Sequence, residues 1–365
     1  MRIEVACERI WRNTESIVGL CAKFNIDVVG VTKSVCGHPD VARAMLAGGV
    51  SMVGESRLSH IRRLRDAGIK ADIMMLRLPA LSEVDEIVHL TKISLNSQVK
   101  TIRALSCAAQ AQNIIHQVIL MVETGDRREG VMPENAITIA RDILGFPNIE
   151  FIGVGANVSC IGGVMPSRAN TQIIVDVAED IERRLAIPMQ VISGGHTTSV
   201  FLLDRSEMPP GVNQLRIGEG LLLGVDPTHE HPFPAPYQDA FIVVAEIIEI
   251  ETKPSLPEGK VTVDSFGRVP EFIDNGSRKR AILAMGEQDL LISGLTPRLP
   301  GVEVIGASSD HLIVDITDAV HPLRLGDELE FMPNYASIST GMAHRDVAQV
   351  IKPIEGQGGD WPYKQ

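Results

Sequence analysis

The chain is poor in aromatic side chains: nine Phe, three Tyr and two Trp make up 4% of its 365 residues. The tyrosines are Tyr237, Tyr335 and Tyr363, so any chemistry that needs a tyrosine must draw on one of these. Cysteine is also scarce. Cys7, Cys21, Cys36, Cys107 and Cys160 are odd in number, never in CxxC spacing and confined to the first half. That excludes a disulfide framework or a zinc site and fits reduced thiols in a cytoplasmic protein. No apolar run approaches the roughly 18 residues that a membrane helix needs. The first residues carry Arg2, Glu4, Glu8 and Arg9 with no apolar stretch, so no secretory signal is expected. Positive charge is in deficit, with 34 Lys and Arg against 46 Asp and Glu, a net charge of -12. Such a chain repels phosphate backbones, which argues against nucleic-acid binding.

What is present is an alternation. Eight short apolar runs, at 26–32, 50–53, 71–78, 92–95, 117–123, 149–157, 189–193 and 213–217, are separated by segments of helical spacing. The spacing predicts helices at 40–46, 58–67, 81–91, 99–112, 133–144 and 171–185, with an amphipathic opening segment at 5–24. Eight strand–helix units in about 230 residues predict an α/β protein, a TIM (β/α)8 barrel. The rival doubly wound sheet usually opens on a GxGxxG turn, and none follows the first run. Four prolines between 227 and 236 then break the rhythm. Beyond them the runs at 240–250, 260–263, 280–285, 303–305 and 311–316 are strand-like and separated by turns. The expected division is a barrel over 1–234 and a C-terminal β-rich domain over 235–365, with a poorly structured tail after 353.

In a barrel the chemistry sits at the C-terminal ends of the strands. There the sequence places Lys33, Glu55, Arg77, Asn96, Glu123 with Arg128, Asn157, the run Ser193-Gly194-Gly195-His196-Thr197, and Arg216 with Gly218. A lysine at a dry barrel mouth is expected to have a lowered pKa and to form a Schiff base; the plain alternative is a lysine that reaches solvent. The glycines of the seventh and eighth loops, 193–197 and 218–220, would let backbone N–H groups approach a phosphate. Ser193, His196, Thr197, Gly218 and Glu219 are therefore cofactor-binding candidates. A Schiff-base lysine beside a phosphate cradle points to pyridoxal phosphate or to an aldolase acting on a phosphorylated sugar. The pair His229 and His231 in the Pro-rich stretch lacks further metal-ligand spacing and reads as solvated loop.

Several long stretches decide between these. GVTKSVCGHPDVARAMLAGGV, GESRLSHIRRLRDAGI, MVETGDRREGV, GVGANVSCIGG, SGGHTTS, NQLRIGEGLLLG, SFGRVPEF, RKRAILAMGEQD, GASSDHLIVD and PNYAS occur in one order over nearly the whole chain. In them the chain resembles the alanine racemase family of fold-type III pyridoxal phosphate enzymes, most closely its ornithine racemase-like branch. The resemblance implies that Lys33 carries the cofactor and acts as one of two acid/base groups. It implies that Arg216 contacts the pyridine nitrogen; a permanently charged guanidinium is a poor proton donor and would keep that nitrogen unprotonated. It further implies phosphate contacts from Thr197, from the backbone of Gly218 and Glu219 and from Tyr335, a ring contact from Asn157, and a substrate-carboxylate contact from Arg128. A head-to-tail homodimer with shared active sites follows from the same likeness.

The departures are as informative. Phe266 stands where the family's second base, a tyrosine, is expected; Cys36 replaces the tyrosine that usually follows the cofactor lysine. Met121 replaces an often carbamylated lysine, and Glu287 a tyrosine at the substrate's way in. The second base is then open among Asp264, Cys36, His196, Glu287 and Asp310. Glu287 and Asp310 are also expected to bind a cationic side chain, which predicts a racemase of ornithine or lysine rather than of alanine. A decarboxylase of the same architecture, which usually carries a cysteine and an aspartate not found here, and a non-catalytic carrier are the remaining readings.

Overall fold

The structure, a computed structural model, describes residues 1–228 and 231–352. It falls into two compact units. Strand β1 (Arg2–Ala6) and residues 239–352 form one, and Glu8–Gln238 form the other.

The second of these is a closed barrel of eight parallel strands. They are β2 (Asp27–Val31), β3 (Met52–Glu55), β4 (Ile73–Met75), β5 (Ile93–Asn96), β6 (His116–Met121), β7 (Ile149–Gly155), β8 (Val191–Ser193) and β9 (Gln214–Ile217). Each falls within or against an apolar run seen in the sequence, and β9 closes on β2 in parallel register. The helices Pro39–Ala47, Leu58–Asp66, Val84–Leu90, Val99–Gln112, Ala136–Leu144 and Arg168–Leu185 alternate with them as predicted. The interior is filled rather than hollow: Val29, Met74, Ile93, Leu95, Ile119, Met121 and Ile152 form one buried cluster. Met121 is a member of that packing, an unbranched thioether that fills the barrel interior. Between β7 and β8 the walls approach so closely that a Cβ on Gly153 would lie 1.9 Å from the Val191 carbonyl oxygen.

The other unit is antiparallel apart from one pairing. Its spine is β10 (Phe241–Pro254), flanked by β11 (Ser277–Leu283) and β15 (Glu328–Pro333), with β12 (Leu295–Pro297), β13 (Glu303–Ala307) and β14 (Leu312–Asp315) completing the order β12-β15-β10-β11-β14-β13. Fourteen residues let β10 serve two pairings. Its first half meets β15 and its second half β11, with a register shift between Ile247 and Glu249. The chain's own start joins in: β1 pairs antiparallel with β10 and parallel with β16 (Ala348–Lys352).

Two expectations are corrected here. The opening segment is a strand followed by a helix, Cys7–Ala22, and the strand belongs with the β-rich unit, so that unit does not begin at 235. Alternating RIEVA buries Ile3 and Val5 on one face, as a strand between β10 and β16 with one face against the core requires. The run 260–263 forms no strand; it lies in an irregular stretch between β10 and β11 whose apolar side chains, Val261, Val263, Phe266, Val269 and Ile273, are exposed. His229, Glu230 and the tail after 353 lie outside the described residues. Among the described residues, no helix is long and apolar enough to cross a membrane.

Candidate active site

The barrel's C-terminal mouth collects most of the residues that the sequence singled out. Lys33 opens a tight helical turn, Lys33–Val35, directly after β2. Its side chain is exposed rather than buried in the barrel mouth. Its charge acts on Cys160, His196 and Glu219, lowering the pKa of each.

Arg216, on β9, is buried. Its Nη1 donates to Ser193 Oγ on β8 and its Nη2 to the Ala156 carbonyl after β7, at 2.7 Å for the latter. Burial brings its pKa down to about 10, with Glu129 acting against the fall and Arg128 adding to it. Gly155 lies against the Arg216–Ser193 pair: a Cβ there would stand 3.2 Å from Ser193 Cβ, with Arg216 Nη1 at 3.4 Å. His196 spends Nε2 on the Val158 carbonyl at 2.7 Å, with Thr198 Oγ1 at 3.2 Å. Burial takes its pKa to about 4, and nearby Arg216, Lys33 and Arg128 push the same way, so it is a neutral prop for the loop after β7.

Arg128 faces the same mouth, paired through Nε and Nη2 with Glu129. Burial pulls its pKa down, but that pairing outweighs it and the net direction is up. To hold a substrate carboxylate, this arginine has to exchange partners. Asn157 donates to the Cys160 sulfur at 3.0 Å. Thr197 Oγ1 accepts from Gly220 N–H at 3.2 Å, at the start of the short helix Glu219–Leu223. Burial and Asp226 lift Glu219 to about 7.

Two residues here escaped the sequence reading. Asp126 Oδ1 accepts from the backbone of Cys160 and Val164 at 3.2 and 3.4 Å, so it staples the loop after β6 to the loop after β7. Cys160 presents an exposed thiol beside Arg128 and Lys33. Its place three residues after Asn157, in a loop following a barrel strand, was the available signal.

Cys36, a second-base candidate in the barrel unit, is buried at the end of the Lys33 turn; Asp264, Glu287, Asp310 and Tyr335 lie in the β-rich unit. Asp264 Oδ1 accepts from the backbone of Phe266 and Arg268, and its Oδ2 from Arg268 Nε at 2.7 Å. Arg268 then donates from Nη1 to Glu287 at 2.9 Å. Glu287 and Gln288 pair by backbone with Ser308 and Ser309, which sets Asp310 beside Gly286. Asp264 and Glu287 are joined through one cation, and the Asp310 backbone lies beside the turn that carries Glu287. Tyr335 begins the helix Tyr335–Gly341, capped by Asn334. Tyr237 sits apart, with Arg9 over its ring and its N–H on Asn13; Tyr363 lies outside the described residues.

The donor set at the barrel mouth suits an aromatic aldehyde phosphate. Lys33 offers an amine after β2, Arg216 a buried cation on the neighbouring β9, and Thr197 with the Gly220 amide a polar group at the eighth loop. Gly220 is required at this turn, since a Cβ there would lie 2.2 Å from the Phe233 ring and 2.8 Å from Thr197 Cγ2. A closed α/β barrel with a lysine after its first strand and a β-rich partner unit is the architecture of the fold-type III enzymes. The chain belongs to the alanine racemase family: residues 5–226 match the alanine racemase N-terminal domain. It is 36% identical over 341 residues to an ornithine racemase from Acetoanaerobium sticklandii, covering 93% of this chain and 96% of that one. It is 37% identical over 355 residues to a lysine racemase from Thermotoga maritima, covering 96% and 98%. The fold is shared with an alanine racemase of Clostridium difficile at a TM-score of 0.75 and 17% identity, over 96% of this chain and 95% of that one.

Proposed function

We propose that this protein is a pyridoxal phosphate-dependent racemase of a basic amino acid, ornithine or lysine, working as a head-to-tail homodimer. The observation that carries the reading is Lys33 following β2 with the buried Arg216 on the paired strand β9, in a chain alike over nearly its whole length to racemases of those two amino acids. Bound pyridoxal phosphate would supply an electron sink that acidifies the amino acid's Cα–H.

The chain's own groups then divide the work. Lys33 exchanges the Cα proton on one face. Arg216, always charged, holds the cofactor's ring without giving it a proton. Thr197, the amides of Gly218 and Glu219, and Tyr335 hold the phosphate, and Ser193 fixes Arg216. Arg128 leaves Glu129 for the substrate carboxylate. The second proton acceptor is assigned by elimination. Asp264 is held well below the usual carboxylate range by backbone N–H groups and by Arg268, so it is a weak base. Cys36 is buried, and His196 is committed to Val158. Asp310 is exposed and makes no ion pair among the described residues, so it is left for the second face, with Glu287 for the side-chain ammonium.

The test is direct. Enzyme loaded with pyridoxal phosphate is given each enantiomer of ornithine, lysine and alanine, and racemisation with solvent deuterium uptake at Cα is followed. A clear preference for alanine would overturn the substrate assignment. Borohydride reduction and peptide mass spectrometry should place the phosphopyridoxyl group on Lys33; a label elsewhere would overturn the cofactor assignment.

A further inference from the structure

Glu55 lies at the C-terminal end of β3 and is fully buried. Sequence reading placed it at the mouth and gave it no task. A buried carboxylate must be paired or neutralised. Thr32 Oγ1 donates to its Oε2 at 3.3 Å and Ser56 N–H to its Oε1 at 2.7 Å. Nδ1 of His60, from the first turn of helix Leu58–Asp66, stands 3.3 Å from the same Oε2, close enough for an ion pair though not in line for a straight hydrogen bond. His60 also engages the Cys36 side chain. Both its partners raise its pKa, Cys36 more than Glu55, to about 9, so it is an imidazolium at neutral pH.

Thr32 immediately precedes Lys33, and Cys36 closes the turn that Lys33 opens. Cys36 adopts a left-handed conformation (φ 53°) with its N–H on the Lys33 carbonyl at 3.3 Å. Gly37 follows at φ +62°, where any Cβ would lie 2.8 Å from the His60 carbonyl oxygen. Arg63, on the same helix as His60, donates to the Cys36 carbonyl at 3.1 Å. The groups facing His60 are thus Glu55 from β3 and Cys36 from the Lys33 turn, with Arg63 beside it on its own helix. One carboxylate–imidazole pair from the neighbouring strand–helix unit touches the Lys33 turn at both ends.

We propose that Glu55 and His60 are positioning residues for Lys33, acting as one unit that grips Thr32 before it and Cys36 after it. The inference rests on Lys33 being the reacting lysine. A misplaced acid/base group loses rate rather than affinity. Glu55→Gln and His60→Gln should each lower kcat by up to about 10²-fold with KM within a few-fold, and the double variant should lose little more than either.

The pH profile separates positioning from mere packing. Activity should fall on the alkaline side near pH 9 as His60 loses its proton. Glu55→Gln should move that limb toward neutrality by about one pH unit or more, because the imidazolium loses its counter-charge. In cofactor-free protein, hydrogen exchange of the peptide spanning 27–38 should quicken in both variants and leave the peptide spanning 168–185 unchanged. If Glu55→Gln does not fold, Glu55→Asp, which keeps the charge and shortens the reach, should retain the alkaline limb and lower kcat. An unmoved limb, or loss of kcat equal at all pH, in an enzyme that still requires Lys33 would overturn this proposal alone. Activity surviving in Lys33→Ala would instead overturn the functional reading.

Discussion

Arg268 Nη1 donates to a carboxylate oxygen of Glu287 at 2.9 Å, and the same guanidinium reaches Asp264 from its Nε. The acidic corner that the sequence offered to a cationic substrate already holds a cation supplied by the chain. The pairing is exposed on the Arg268 side, so it adds little to stability. On the proposed function its consequence lies in recognition: a substrate ammonium would meet a neutralised Glu287 and have to compete with Arg268 for it. Arg268→Ala should leave the melting temperature almost unchanged. It should raise the ratio of kcat/KM for ornithine over alanine several-fold, roughly the effect of one freed exposed charge. Glu287→Gln should lower the same ratio. Steady-state assays on both amino acids check it, and an unchanged ratio in both variants would remove Glu287 from substrate recognition.

His116 carries a second prediction. It is fully buried in β6, with Nε2 2.8 Å from Ser94 Oγ, which also accepts from Asn96 at 2.9 Å. Burial lowers its pKa from 6.5 to about 4. Between these values the unfolded chain takes up a proton that the folded one refuses. Stability is therefore complete above pH 6.5 and declines as pH falls toward 4. The loss from this residue amounts to about 3 kcal/mol, at ~1.4 kcal/mol per unit. Urea unfolding at pH 7 and pH 4.5 measures it. His116→Gln, with no proton to gain, should show a shallower loss than the parent over the same interval.

Gly153 gives the third. It lies in β7 beside a register shift against β6, and its Cα faces the Val191 carbonyl of β8. A methyl group 1.9 Å from that oxygen requires the two strands to part. Because the barrel is closed, the separation propagates around the ring. Gly153→Ala should cost more than about 3 kcal/mol, in the range reserved for disrupted cores, or prevent soluble expression. Thermal unfolding decides it; a melting temperature within a degree or two of the parent would show that β7 and β8 yield locally.

The barrel was legible because its strands are buried on both faces and read as apolar runs, as in Ile149–Gly155, while the helices between them keep their own period. β1 was not, because RIEVA runs into the helix Cys7–Ala22 with no turn residue between them and finds its partners about 240 and 346 residues away. The strand expected at 260–263 failed for the opposite reason. VTV alternates well enough, but no neighbouring strand offers it a ladder. At the site, residue types at strand ends were readable from spacing, and Lys33 and Arg216 are where the sequence put them. Their partners were not readable. That Glu129 holds Arg128, that Arg268 holds Glu287 and that His60 joins Glu55 to Cys36 depends on loop paths that no periodicity encodes.

Cys160 offers the last prediction. Its thiol is exposed at the barrel mouth, accepts from Asn157 Nδ2 at 3.0 Å, and lies beside Arg128 and Lys33. Partial burial raises its pKa, with Arg128 and Lys33 opposing, so little thiolate is present at neutral pH and alkylation there should be slow. Cys107, exposed on the helix Val99–Gln112, serves as an internal control. Loading with pyridoxal phosphate should engage Lys33 and Asn157 and shield Cys160 from iodoacetamide, while Cys107 reacts as before. Peptide mass spectrometry after timed alkylation reads both thiols in one sample. Equal labelling of Cys160 with and without the cofactor would mean that the loop carrying Asn157 and Cys160 stands clear of the cofactor, and Asn157 would lose its place along the ring.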